Sequence, residues 1–189
     1  QRDFDPVKCL HLIAKEQLNA GWLAPVMTSA MLESAKSEEV NLSSMKWIIG
    51  GGERTPEKRI EEFSQVFTRA RYIDAYGLTE SGSGDTFMVE GRELEKIGST
   101  GRATPSVEIK IINEMGAALP SDEVGEICLR GPKIFERYWR DTAKTNLAFQ
   151  DDWFCTGDAG YLDNENFLYI TDRLKDMIIS GGENIASLE

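Results

Sequence analysis

Histidine is almost missing from this sequence: His11 is the sole one in 189 residues. Cysteine is scarce too. Cys9, Cys128 and Cys155 are odd in number, far apart and never in a CxxC. These shortages exclude a Cys/His zinc site, a metal cluster and a disulfide framework. A Ser/His/Asp or Cys/His machine would have to use His11, which sits among Leu10, Leu12 and Ile13 and reads as structural. The thiols read as small hydrophobes in a reducing, cytoplasmic compartment. Positive charge is short as well, with 21 Lys and Arg against 32 Asp and Glu, a net −11. That balance, with no aromatic-basic stripe, excludes nucleic acid and anionic membrane as partners. No apolar run is long enough to span a bilayer. No signal peptide and no initiating Met are present, so the chain is expected to be a segment of something longer.

What is present suits a sizeable core: 41% hydrophobic and 28% charged residues. Phe4 to Gln17 reads as a helix capped by Asp5, with Val7, Leu10, Ile13 and Ala14 on one face. A second helix is expected around Thr28 to Ser37, and a third over Pro56 to Phe67 with Ile60, Phe63, Val66 and Phe67 inward. Met45 to Ile49 and Ala70 to Ala75 read as short buried strands, each running into a glycine loop. Strand, glycine loop, helix, strand, glycine loop is the rhythm of a parallel α/β sheet, whose ligands bind beyond the strands' carboxyl ends.

The texture changes between Glu90 and Gly98. Residues 107–111, 126–130 and 167–170 alternate or run apolar, separated by turn material at Asn113–Gly116, Pro120–Asp122 and Asp163–Asn166. The fold class is therefore α/β: part of a parallel sheet domain (1–95), then a small distorted β-barrel (96–171). A charged hinge (172–176) leads to the first strand of a truncated C-terminal domain (177–189). Tyr138, Trp139 and Trp153 read as packing residues, and Glu126 and Arg130 as scaffold.

Asp74 to Asp85, DAYGLTESGSGD, concentrates an aromatic ring, a hydroxyl, a carboxylate and three glycines. Glycine permits positive φ and close approach of a ligand to backbone. Thr79 can donate a hydrogen bond, and Glu80 can hold a hard cation. Read alone, a Gly/Ser-rich surface loop accounts for this stretch, and a turn cap accounts for Asp158.

Four stretches occur in order: YGLTE (76–80), GEICLRGP (125–132), WFCTGD (153–158) and DRLKDMIISGGENI (172–185), preceded by GGGE (50–53). Together, over nearly the whole chain, they resemble the adenylate-forming, AMP-binding superfamily, specifically the acyl-CoA synthetases, or fatty or aryl acid–CoA ligases. The resemblance implies an enzyme that joins a carboxylic acid to ATP as acyl-AMP, releasing pyrophosphate, and then passes the acyl group to coenzyme A. It implies ATP or AMP, Mg²⁺ and coenzyme A as ligands. It assigns Mg²⁺ to Glu80, the α-phosphate to Thr79, and adenine to Tyr76 and Asp74 with Ala75 and Gly77. Gly51, Gly52 and Glu53 would wall the adenine slot. Asp158 would take the ribose hydroxyls, and Arg173 ribose or phosphate; Thr79, Glu80 and Arg173 would be the catalytic set. Gly50, Gly51, Ser81, Gly82 and Ser83 would line the acyl pocket, Gly181 and Gly182 the coenzyme A tunnel, and Lys175 would be the hinge.

The family's early phosphate loop, ending Pro-Lys-Gly, and its late catalytic lysine are not in this sequence. Losing preorganised charge stabilisation costs about 10²–10³-fold in rate, so the chain by itself is expected to be nearly inactive. A halved sheet would expose apolar faces and favour self-association. A peptide-synthetase type of adenylation domain and a non-catalytic nucleotide-binding or β-barrel module are the alternatives; ISGGENI (179–185) resembles the coenzyme A ligases more. Small residues lining the acyl pocket favour a fatty or aryl acid over acetate.

Overall fold

The computed structural model describes residues 3–52, 55–173, 178–180 and 183–185. The chain divides into two compact units, Gln1–Tyr76 with Phe87–Gly98, and Gly77–Thr86 with Ser99–Glu189.

The first unit is α/β. Helix α1 spans Pro6–Glu16. Asp5 Oδ1 accepts the Lys8 N–H at 3.0 Å, and Pro6 sits in the first turn, where its missing N–H costs nothing. Leu10 and Ile13 form its buried face. His11 instead points to solvent, its Nε2 2.9 Å from Glu38 Oε2. Its apolar sequence neighbours lie on other sides of the helix. Strand β1, Ala20–Leu23, was not foreseen, because four residues around a glycine carry too little pattern. Helix α2, Pro25–Ala35, begins three residues earlier than expected because Pro25 takes the first helical position.

Strand β2 (Trp47–Gly50), helix α3 (Glu57–Val66) and strand β3 (Arg71–Tyr76) follow. β1, β2 and β3 are parallel, with Leu23 paired to Gly50 and Gly50 to Asp74. The helices bury one face of this sheet. Leu10, Met31, Leu32, Ile48, Phe63, Phe67 and Tyr72 form the core. Phe63 stacks on Phe67 at 4.7 Å and meets Tyr72 at 5.2 Å between ring centroids. Parallel register brings the carboxyl ends of β2 and β3 to one edge, so the Gly50–Gly52 and Asp74–Tyr76 segments emerge side by side.

Strand β4, Thr86–Phe87, lies where the chain passes between units. The second unit holds β5 (Arg102–Ala103), β6 (Glu108–Ile112), β7 (Gly125–Arg130), helix α4 (Thr142–Ala148), β8 (Phe149–Gln150), β9 (Trp153–Leu162) and β10 (Leu168–Arg173). Its antiparallel sheet runs β10-β9-β7-β6, with β8 on β9, and curls into a half-barrel. Ile127, Leu129, Phe154 and Leu168 are buried in it. The expected turns have a side-chain mechanism. Asn113 Oδ1 accepts the N–H groups of Met115 and Ala117 at 3.0 Å each, and Asp163 Oδ1 accepts those of Glu165 and Phe167 at 2.9 Å each.

Two packing expectations change. Trp139 is 81% exposed, with the Arg140 guanidinium over its ring, so it does not pack against the sheet. Trp153 is only half-buried and carries the Lys110 and Arg130 cations, each 4.5 Å from its ring centroid. Beyond residue 177, β11 (Ile178–Ser180) and β12 (Glu183–Ile185) pair antiparallel.

Candidate functional site

The first unit presents glycines and a buried acid at the ends of two adjacent strands. Gly50 is Cβ-free for a packing reason: an added Cβ would lie 1.7 Å from the Tyr72 hydroxyl. At Gly51 a Cβ would meet the Ala75 carbonyl oxygen at 3.1 Å. Gly52 has φ 93° and open space around it, so conformation rather than crowding selects glycine there. Asp74, 4% exposed, accepts the Ala75 N–H on Oδ1 at 3.1 Å, and its carbonyl accepts the Met88 N–H at 2.9 Å. Tyr76, at the end of β3, is half-buried.

The second unit contains the glycine loop 77–86. Thr79–Ser81 is one turn of 3₁₀-helix, and Gly82, Ser83 and Gly84 all take left-handed φ, 68°, 67° and 65°. The loop folds back so tightly that a Cβ on Gly77 would lie 2.3 Å from the Gly84 nitrogen. Ser81, fully buried, donates to Asp85 Oδ2, and its Oγ accepts the Leu78 N–H at 3.2 Å. Lys133 clamps the loop from outside. Its Nζ reaches the Ser83 carbonyl at 2.6 Å, the Gly84 carbonyl at 2.9 Å and Asp85 Oδ1 at 2.9 Å. Thr79, Gly82 and Ser83 are exposed.

Glu80 is held at both ends. Its carbonyl accepts the Phe135 N–H at 2.7 Å, and its Oε1 accepts the Tyr138 hydroxyl at 2.9 Å. Burial, reinforced by the Glu80 carboxylate, pushes the Tyr138 phenol up to about 12, so it remains a donor. The Phe135 ring edge and Lys144 Nζ fix the Tyr138 ring, at 4.8 Å and 3.9 Å. Sequence reading assigned Tyr138 to packing alone; its phenol carried the signal of a second use, since a partly buried hydroxyl finds a partner.

Asp158 lies in a bulge. Glu126 faces Ala159 and Cys128 faces Cys155, so Ile127 opposes three residues, Thr156 to Asp158. Glu126 Oε1 accepts the Gly157 N–H at 3.0 Å, and Thr156 Oγ1 donates to the Ile127 carbonyl at 2.8 Å. Glu126 is thus scaffold, as expected, but scaffold for this bulge. On its other side β9 pairs with β10, where Arg173 is the direct partner of Asp158. Arg173 Nε stands 3.6 Å from Asp158 Oδ1, with the Arg173 side chain 63% exposed and that of Asp158 12%.

Within the first unit, then, Gly50, Gly51, Gly52, Asp74, Ala75 and Tyr76 come together. Within the second, Thr79 to Ser83 share one loop, and Asp158 meets Arg173. Glu53, Lys175, Gly181 and Gly182 lie outside the described residues.

Among the described residues no three His, Cys, Asp or Glu side chains gather as a metal cage. Magnesium does not need one: it keeps several waters and takes one or two carboxylates plus substrate phosphates. Glu80 fits that demand, with Oε1 fixed by Tyr138 and the carboxylate half-exposed on an anchored turn. No described helix is long and apolar enough to cross a membrane.

Comparison with known proteins gives these features a context. The chain is 35% identical over 186 residues to the long-chain-fatty-acid–CoA ligase FadD13 of Mycobacterium tuberculosis, covering 98% of the chain and 36% of that relative. It is 32% identical to the indoleacetate–CoA ligase of Aromatoleum aromaticum, covering 98% and 36%. In structure it resembles o-succinylbenzoate CoA synthetase, MenE, of Bacillus subtilis in complex with the acyl-adenylate intermediate OSB-AMP. The TM-score is 0.90 and the identity 34%, over 100% of this chain and 38% of that one. The same synthetase has been solved with ATP and a magnesium ion, with TM-score 0.88 and 34% identity over 98% and 38% of the two chains. The chain thus spans a little over a third of the length of these relatives. The family model for AMP-binding enzymes matches residues 1–139, nearly three quarters of the sequence, and the chain belongs to the AMP-binding enzyme family.

Proposed function

We propose that this chain is the nucleotide-handling part of an acid–CoA ligase. The full-length enzyme activates a carboxylic acid with ATP as acyl-AMP, releases pyrophosphate, and transfers the acyl group to the thiol of coenzyme A. The observation that carries this reading is the Asp158–Arg173 pair, a nearly buried carboxylate on a braced bulge opposite an exposed guanidinium. A carboxylate is acceptor-only and takes two O–H donors at once, which suits the vicinal hydroxyls of ribose. Arg173 adds a charge-assisted contact to ribose or phosphate.

The remaining roles follow residue by residue. Tyr76 stacks on adenine, Asp74 accepts its amino group, and Gly51, Gly52, Glu53, Ala75 and Gly77 supply close backbone. Thr79 donates to the α-phosphate. Glu80 holds Mg²⁺, which neutralises phosphate charge. Gly50, Gly51, Ser81, Gly82 and Ser83 face the acid. With the Ser81 hydroxyl engaged inside its own loop, that wall has little polarity to offer, which suits a fatty or aryl acid better than acetate. Gly181 and Gly182 flank the pantetheine arm and Lys175 is the hinge. We assign residues 1–95 to the nucleotide subdomain, 96–171 to the β-barrel, 172–176 to the hinge and 177–189 to the opening of a further domain. The chain alone is nearly inactive, and the enzyme works in the cytoplasm, where its ATP and coenzyme A are found.

Calorimetric titration of AMP into the full-length ligase tests the reading. Asp158→Ala removes hydrogen bonds from a charged group, worth about 1.5–3 kcal/mol, so AMP affinity falls roughly tenfold to a hundredfold. Coenzyme A-dependent release of AMP completes the assignment. Unchanged AMP affinity in Asp158→Ala would overturn it.

A further inference from the structure

We infer that Cys128 and Cys155 form a reversible dithiol–disulfide site, a modification site for small-molecule disulfides. The inference is independent of the ligase reading. The two residues are far apart in sequence but are direct partners across β7 and β9. The Cys128 thiol donates toward Cys155 Sγ at 3.3 Å. Directly paired antiparallel residues have Cα atoms about 4.5 or 5.5 Å apart, according to the type of pair. Both values lie in the range that a disulfide spans, about 4.4–6.8 Å. The bond therefore needs side-chain rotation and little backbone movement.

The two sulfurs differ in access and in proton. Cys155 is half-buried and Cys128 fully buried, so a reagent meets Cys155 first. The hydrogen bond from Cys128 pulls the Cys155 thiol down, while the same bond, with burial, pushes Cys128 up. Thiolate is the attacking species in exchange. In the first step Cys155 thiolate attacks a sulfur of a small disulfide. Its S–S bond breaks, one thiolate leaves, and Cys155 carries the mixed disulfide. In the second step Cys128 loses its proton and attacks Cys155 Sγ, expelling the second thiolate. The protein pair is oxidised by two electrons, and the small disulfide is reduced to two thiols. A dithiol reductant reverses both steps.

The position gives the bond a local consequence. Cys155 immediately precedes the Thr156–Asp158 bulge, and the Cys128–Cys155 pair closes one end of it. Cys9 lies in α1, in the other unit, and takes no part.

The test is thiol mapping on the folded chain. The reduced protein is incubated with oxidised glutathione, quenched by alkylation and analysed by intact mass and peptide mapping. The expected result is loss of two of the three thiols, one intramolecular Cys128–Cys155 link, no retained glutathione, and full reversal by dithiothreitol. Cys9→Ser retains the link. Cys128→Ser stops at the mixed disulfide on Cys155, and Cys155→Ser leaves Cys128 unmodified. If either variant fails to fold, mapping of Cys9→Ser still decides. Three thiols that stay reduced until denaturant is added would overturn the inference. So would glutathione retained on Cys155 with Cys128 present, or a link through Cys9.

Discussion

The Tyr138 hydroxyl donates to Glu80 Oε1 at 2.9 Å, tying the chain after β7 to the acidic turn of the glycine loop. One oxygen of the carboxylate is thereby oriented, and on the proposed role of Glu80 as a magnesium ligand this bond presets the site. A hydrogen bond to a charged group is worth about 1.5–3 kcal/mol. In the full-length enzyme, Tyr138→Phe keeps the ring packing and removes this bond. The expected outcome is a roughly tenfold higher Mg²⁺ requirement in ATP–pyrophosphate exchange, with the maximal rate at saturating Mg²⁺ changed less. Glu80→Gln loses rate at every Mg²⁺ concentration. Equal Mg²⁺ dependence in Tyr138→Phe and the parent would show that Tyr138 serves packing alone.

That bond also marks where sequence reading stops. Helix α1 was legible because its cap, its first-turn proline and its apolar face are local signals within a few residues. Strands β2 and β3 were legible as apolar runs ending in glycine. Strand β9, Trp153–Leu162, was not, because Thr156, Gly157 and Asp158 bulge out and break the alternation that marks a strand. Neighbouring Tyr138 and Trp139 were read alike, yet one meets Glu80 across 58 positions and the other faces solvent. Such contacts depend on which strands pair and in which register, and no local pattern records that. The same holds for Cys128 with Cys155. Asp158 and Arg173 were singled out separately by motif; their direct pairing came from the register of β9 and β10.

Lys133 and Asp85 give a stability prediction. Asp85 is fully buried, and its oxygens are taken by Lys133 and Ser81. Removing one partner of a buried pair leaves an uncompensated charge and costs about 3–5 kcal/mol. The Lys133 side chain is a quarter exposed, so the lower end applies: Lys133→Met should lower urea-unfolding stability by about 3 kcal/mol. Lys133→Met with Asp85→Asn should cost less than the two single changes added, because the pair is coupled. Strict additivity would mean that the ion pair contributes nothing to the loop.

Tyr72 predicts alkaline behaviour. Burial, foremost, pushes its phenol from 10.0 up to about 12; the Asp74 charge adds to this, and the hydrogen bond with Thr55 opposes it. The folded value lies above the unfolded one, so the folded chain holds this proton more tightly. The resulting stability is fully present below pH 10 and is lost as pH rises toward about 12. Tyr138, also raised to about 12, contributes in the same direction. Unfolding measured across that window should steepen in the parent, and Tyr72→Phe should flatten the slope, leaving the Tyr138 share. Phenolate absorbance should show Tyr72 and Tyr138 titrating late.

Among the described residues of the first unit, the buried faces of the three helices pack with Ile48 and Tyr72 on one side of the sheet. Ala20 and Trp47 are register partners, as are Trp22 and Ile49, so all four side chains lie on the face opposite the buried Ile48. Trp22 is 64% and Trp47 37% exposed. Parallel sheets are normally covered on both faces, and aromatic surface left in water drives association at roughly 25 cal/mol per Å² buried. The chain by itself should therefore self-associate through this face, with a sedimentation coefficient that rises with concentration. Trp22→Ser with Trp47→Lys should return it to a concentration-independent monomer without loss of helical circular dichroism, because neither residue belongs to the core. Association that persists unchanged in the double variant would move the contact elsewhere on the molecule.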